Sequence, residues 1–202
     1  MVTGDVTSLY TNMHIDRTLQ VTKDALAQHP VSGRPDDHIL NLLEITLKNN
    51  DFTFNGEHYL QTLGTAMGKS YVPGLADLYL QVFDYKATTG FIIKAILYFR
   101  FLDDIHFFWT GTLEELKQFE TFLNLLIDNI HITLSYSYEK VDFLDTTIYR
   151  INDTTTDMHI LQTRVYFKDT DTHQLLHITY NVNWYVTRSL IVMLSAQQKS
   201  RV

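Results

Sequence analysis

The sequence predicts an α+β fold, an antiparallel sheet with helices packed on one face, on three observations. Segments with apolar residues at helical spacing are interleaved with short β-branched and aromatic segments that alternate. An Asn55-Gly56 step, a strong hairpin turn, stands between two of the alternating segments. The 202 residues include only 8 Gly and 3 Pro, with 45% hydrophobic and 13% aromatic residues, so the chain can bury one core and carries no linker or low-complexity tract.

Val2 to Tyr10 is β-branched and aromatic and reads as a strand running into a helix around Asp16 to Ala27. Gln28 to Asp37 is a helix-to-helix connection, and Asp36 or Asp37 caps a helix to about Lys48, with Ile39, Leu42, Leu43 and Leu47 on one face. Phe52 to Gln61 forms the hairpin around Asn55-Gly56, and a loop after Gly64 leads to a helix over Pro73 to Lys86. Phe91 to Trp109 is almost continuously apolar except for Asp103-Asp104, which predicts two core strands joined by a tight turn. Thr112-x-x-Glu115 is a capping box opening a helix to about Asn129. Four strands follow, His131 to Tyr138, Val141 to Ile151, Met158 to Phe167 and Thr172 to Thr179, and the segment from Asn181 to Val202 is weakly patterned.

The formal charge is −7, and the acidic excess lies within residues 1–139. Nucleic-acid binding through a broad basic face is therefore excluded, and any such contact is local or supplied by other parts. Zero cysteines exclude disulfides, thiolate zinc sites and a cysteine nucleophile. No apolar run approaches the roughly 20 residues of a membrane span, and Met1 to Tyr10 has no signal-peptide pattern, which places the protein in the nucleus or cytoplasm, not secreted. There is no H-E-x-x-H pair, no P-loop and no G-x-S-x-G elbow. Asp171, His173 and His177 are given no catalytic role, because histidines four apart align only on a helix and this segment reads extended.

The residues that ask for an explanation are Asp103-Asp104, at the turn of an apolar hairpin. Aspartate is common in turns because it bonds nearby backbone. The alternative is a hard-metal site, since Mg²⁺ takes carboxylate oxygens together with substrate phosphates. That reading needs a carboxylate from another strand, and Asp5, among Val2, Thr3, Val6 and Thr7, is the candidate.

Four blocks in order, Asp5-Val-Thr-Ser-Leu-Tyr-Thr-Asn12, Gly64-Thr-Ala-Met-Gly-Lys-Ser-Tyr-Val-Pro73, Phe99-Arg-Phe-Leu-Asp-Asp-Ile105 and Phe143-Leu-Asp145, resemble successive motifs of the reverse transcriptases of Penelope-like retroelements. Tyr166-Phe-Lys168 and Thr170-Asp-Thr-His173 extend the resemblance to about residue 177. The sequence departs from the pattern at Met13-His14, Lys69, Val72, Asp77 and Asp169.

The resemblance implies a polymerase palm over residues 1–180, with the fingers missing and a divergent segment toward a thumb over 181–202. It implies that Asp5, Asp103 and Asp104 hold two Mg²⁺ ions, or Mn²⁺ in their stead, for nucleotidyl transfer to a primer 3′-hydroxyl. It further implies nucleotide contacts at Val6, Tyr10, Met67 and Gly68, with Tyr10 as a steric gate against the ribose 2′-hydroxyl. The implied partners are an RNA template, a DNA primer and deoxynucleoside triphosphates, and no membrane. The alternative is a catalytically inactive, truncated retroelement relic acting at most as a binding module.

Overall fold

Val2, Gly4 and Val6 alternate with Thr3, Asp5 and Thr7, and that period of two gives β1 (Val2–Thr7) one buried and one open side. A computed structural model describes residues 1–91, 95–153 and 158–168. In it β1 is central. It pairs antiparallel with β5 (Asp104–Phe108) on one side and with β6 (His131–Tyr136) on the other, and β4 (Ile96–Phe101) closes the sheet beyond β5. The order is therefore β4-β5-β1-β6.

The buried side of this sheet carries Val2, Val6, Ile105, Phe107 and Ile132. Two helices supply the other half of the core. Tyr79, Leu80 and Phe83 come from α4 (Val72–Thr89), whose Pro73 stands in the first turn where no N–H is needed; Leu116, Phe119 and Leu123 come from α5 (Leu113–Asn124). Phe119 lies within 5.1 to 6.3 Å of four other aromatic rings, Phe91, Phe107, Trp109 and Phe122. The capping box is complete: Thr112 Oγ1 accepts from the Glu115 N–H while Glu115 accepts from the Thr112 N–H.

Short α1 (Leu9–Asn12) and α2 (Ile15–Gln28) follow β1, then α3 (Asp36–Lys48). Asp36 does not cap α3, as neither aspartate does; it is the first helical residue and pairs with Arg34. The hairpin of β2 (Asp51–Phe54) and β3 (Glu57–Leu60) turns at Asn55 and Gly56, both at positive φ as a type I′ turn demands. All its residues are exposed.

Four expectations need correction. The α+β class holds, but the strands do not share one sheet: among the described residues they form the four-stranded one, the β2-β3 hairpin, and a three-stranded sheet of β7 (Lys140–Phe143), β8 (Thr146–Asp153) and β9 (Met158–Val165). The strand expected over Val141 to Ile151 is thus two, broken at Leu144, which takes a left-handed φ of 54°. Helix α5 stops at Asn124, whose side chain bonds both the N–H and the carbonyl of Ile132 and so draws the chain into β6. Finally, β4 is an edge strand with Ile96, Leu97, Phe99 and Phe101 exposed, where a core strand was expected. The strand expected over Thr172 to Thr179 and the segment 181–202 lie outside the described residues. Met1–Tyr166 form one compact unit, and no helix among the described residues is long and apolar enough to cross a membrane.

Replacing the fully buried Phe119 by alanine is expected to destabilise the protein by roughly 3–5 kcal/mol. Phe54→Ala, on the exposed hairpin, is expected to stay within about 0.5 kcal/mol. Urea unfolding midpoints of the two variants, compared with the parent, measure the contrast.

Candidate active site

The register of β1 against β5 pairs Val2 with Phe107, Thr3 with His106, Gly4 with Ile105 and Asp5 with Asp104. Alternation then puts Asp5 and Asp104 on the side of the sheet away from α4 and α5. The Val6 N–H donates to the Asp103 carbonyl at 2.9 Å. A bond in that position flanks the Asp5–Asp104 pair, so these two residues form a non-hydrogen-bonded pair, the closer kind, with Cα atoms about 4.5 Å apart in a regular ladder. Two carboxylates directly opposite each other on one face are destabilising.

Asp103 precedes this pair in the β4-β5 turn. The phenol of Tyr10, on α1, is held above its ordinary pKa by burial first and then by the charges of Asp103 and Asp77. That places Tyr10 near Asp103 of the turn and Asp77 of α4. Asp77 belongs to α4 and binds Arg100 of β4. Met67 and Gly68 lie in the loop before α4; Met67 is 70% exposed and Gly68 takes a φ of 88°. The start of this loop is pinned to α1, with the Gly64 N–H donating to the Met13 carbonyl and the Thr65 N–H to the Tyr10 carbonyl. Gly64 is obligatory there, because a Cβ on it would lie 2.5 Å from Tyr10 O and Thr11 Cα.

Val6 is placed differently from the rest. Its side chain is 1% exposed and faces the core, and what it contributes is the N–H that holds the Asp103 carbonyl. Phe143 reaches the same sheet from β7, its ring 5.5 Å from that of His106. Sequence reasoning gave no role to Arg100, although it stands inside the Phe99–Ile105 block, nor to Asp77, Asp84 and His106; the fold joins Arg100 to Asp77 and Asp84. Beside the carboxylates, Phe99 and Phe101 of β4 pair with His106 and Asp104, so they lie on the same open face. A cavity of about 650 Å³ lined by His14, Arg17, Lys48, Leu63, Tyr79 and Asp128 contains none of the candidate carboxylates. Asp5 is exposed and Asp104 half-buried on this sheet face, which Phe143 covers at His106.

Asp5, Asp103 and Asp104 offer only oxygen donors, which suits Mg²⁺ or Mn²⁺ and disfavours softer metals. Among the described residues no three His, Asp or Glu side chains already converge as a metal cluster. Mg²⁺ does not require one, since it is held by one or two carboxylates and completes its shell with water and phosphate. The opposed pair with its neighbour therefore fits a hard cation.

No protein-family model and no curated protein matches the sequence. A solved structure of apo telomerase from Candida tropicalis, truncated from its C-terminal domain, is similar in fold, with a TM-score of 0.55 at 14% identity over 73% of this chain. The chain spans about a third of that telomerase, 33% of its length. The likeness is one of fold alone.

His106 supplies a pH signature for this sheet. It is buried between Phe108 and Phe143, its Nδ1 donates to the Val2 carbonyl at 2.9 Å, and its Nε2 has no partner among the described residues. Burial pushes its pKa below the ordinary 6.5, the N-terminal ammonium adds to that, and the Val2 bond partly opposes it. A depressed histidine pKa means that the unfolded chain binds the proton more readily, so stability is full above pH 6.5 and falls as the pH drops from there toward the lowered value. Thermal unfolding of the parent is expected to show this loss, and His106→Gln to flatten it in the same window.

Proposed function

We propose that this chain is the palm of an RNA-directed DNA polymerase of the Penelope-like retroelement type, transferring nucleotides to a primer 3′-hydroxyl with two Mg²⁺ ions. The observation that carries the reading is the Asp5–Asp104 pair, set opposite each other on the open face of the sheet with Asp103 beside them in the turn. The fold likeness to a telomerase, a reverse transcriptase-related enzyme, supports a polymerase-like fold that meets nucleic acid.

In this reading Asp5, Asp103 and Asp104 hold the ions, which when bound supply activation of the primer hydroxyl and neutralisation of the leaving pyrophosphate. The residues of the chain do the rest. Asp5 comes from the central strand, and Asp103 and Asp104 from a hairpin whose Asp103 carbonyl the Val6 N–H of that strand holds, so the hairpin is tied to the strand before substrate arrives. Tyr10 lies where its ring meets the sugar of an incoming nucleotide and excludes a 2′-hydroxyl. Met67 and Gly68 form the exposed loop against which the nucleotide and template base pack, with the close backbone approach that a glycine at positive φ allows. The exposed rings of Phe99 and Phe101 offer the primer–template duplex an apolar surface beside the carboxylates. The net charge of −7 fits a palm whose phosphate-gripping cations are supplied by other parts of the polymerase.

One observation favours a second reading, an inactive palm that acts only as a binding module: the carboxylates do not already converge as a three-ligand cluster. Primer extension on an RNA template with Mg²⁺ separates the two. The polymerase reading predicts incorporation of deoxynucleotides only, loss of it in Asp103→Asn with an unchanged unfolding temperature, and ribonucleotide use gained in Tyr10→Ala. Absence of incorporation by the parent, or full activity in Asp103→Asn, rejects it.

A further inference from the structure

The β4-β5 turn that carries Asp103 and Asp104 is made by a residue badly suited to it. Leu102 takes a φ of 55°, the left-handed region that a branched side chain rarely adopts. Such a conformation persists only where the surroundings hold it. On its C-terminal side the turn is held by the Val6 N–H on the Asp103 carbonyl. On its other side the Leu102 carbonyl accepts a bond of 3.0 Å from Arg100 Nη1.

Arg100 is itself rigidly anchored. It pairs with Ile105, so it lies on the helix side of the sheet, with its side chain only 8% exposed. Its Nε donates to both Asp84 oxygens at 2.8 and 3.0 Å, its Nη2 to Asp84 Oδ2 at 2.7 Å, and its Nη1 to Asp77 Oδ1 at 3.0 Å. Asp84 is steadied in turn by the Tyr98 hydroxyl at 3.0 Å. The planar guanidinium spans three acceptors at once, two carboxylates of α4 and one carbonyl of the turn. A buried ion pair that merely joined α4 to the sheet would need only the two-pronged contact with Asp84; the third prong goes to the residue immediately before Asp103.

We propose that Arg100 is a positioning residue: anchored on Asp84 and Asp77 of α4, it grips the Leu102 carbonyl and thereby fixes the turn that carries Asp103 and sets Asp104 opposite Asp5. The inference rests on the proposed polymerase reading for what the carboxylates bind, and on the hydrogen bonds alone for how they are aimed. Lysine keeps the charge at this position but has no planar fork and cannot serve three separated acceptors. Loss of outer partners of metal-binding side chains lowers metal affinity by about 10–100-fold.

The test uses the whole chain and Mn²⁺ as probe, with binding followed by the electron paramagnetic resonance signal of the free ion. Arg100→Lys is expected to weaken Mn²⁺ binding by about tenfold or more, and Asp77→Asn, which removes one exposed anchor and leaves the buried Asp84 pair intact, by a smaller factor. Amide hydrogen exchange at Val6 is expected to quicken in Arg100→Lys, because the turn that accepts its N–H is released. Unchanged Mn²⁺ affinity in Arg100→Lys overturns the proposal. Mn²⁺ binding that depends on Arg100 in a protein that extends no primer rejects the polymerase reading and leaves the positioning role standing. Should the parent bind no Mn²⁺, exchange at Val6 decides: quickening in Arg100→Lys, or in Asp77→Asn if the lysine variant does not fold, sustains the role, and no change overturns it.

Discussion

The pairing of β1 with β5 sets the position of nearly everything else in the molecule. Because side chains alternate with a period of two, a slip of one residue in that register sends Val2, Gly4 and Val6 to the open face and buries Asp5. The core then forbids every register that moves Asp5 away from the open face. Val6 joins the two sides of this constraint, its side chain in the core and its N–H on the Asp103 carbonyl. Packing of a core that includes Phe83, Phe107 and Phe119 thus fixes two carboxylates opposite each other on the other face of the sheet.

The second layer of the site comes from helix α4. Its inner face contributes Tyr79, Leu80 and Phe83 to the core, while Asp77 and Asp84, a turn or two apart on the same helix, reach the sheet through Arg100. The loop before α4 is tied to α1 at Gly64 and Thr65, so the start of the loop that carries Met67 and Gly68 is fixed relative to Tyr10 by backbone bonds. Charge, loop and turn therefore all refer back to two elements, β1 and α4.

Where local chemistry decides structure, the sequence was legible. Asn55-Gly56 dictated a hairpin through positive φ, and Thr112 with Glu115 dictated a helix start through two reciprocal bonds. Asp5, Asp103 and Asp104 stood out in the sequence because their spacing along the chain resembles a known set of motifs, and the fold pairs Asp5 with Asp104 across the sheet. What escaped was decided at a distance or against propensity. Leu102 and Leu144 turn the chain at positive φ with no glycine or asparagine to mark them, which hid the break between β7 and β8. Asn124 ends α5 by bonding Ile132 across the following loop. The exposure of Phe99 and Phe101 follows from the edge position of β4, which no pattern of hydrophobicity states. Arg100 reads as an ordinary cation in an apolar strand, since its partners Asp84 and Asp77 lie 16 and 23 residues away.

The central claim is that the opposed aspartates are held together for a divalent cation. Thermal unfolding of the parent and of Asp5→Asn, each with and without Mg²⁺, tests it most directly, because a ligand that binds only the folded state raises stability by mass action. The account predicts that Mg²⁺ raises the unfolding temperature of the parent and leaves that of the variant unmoved. An equal Mg²⁺ response in both proteins, or none in the parent, would contradict it.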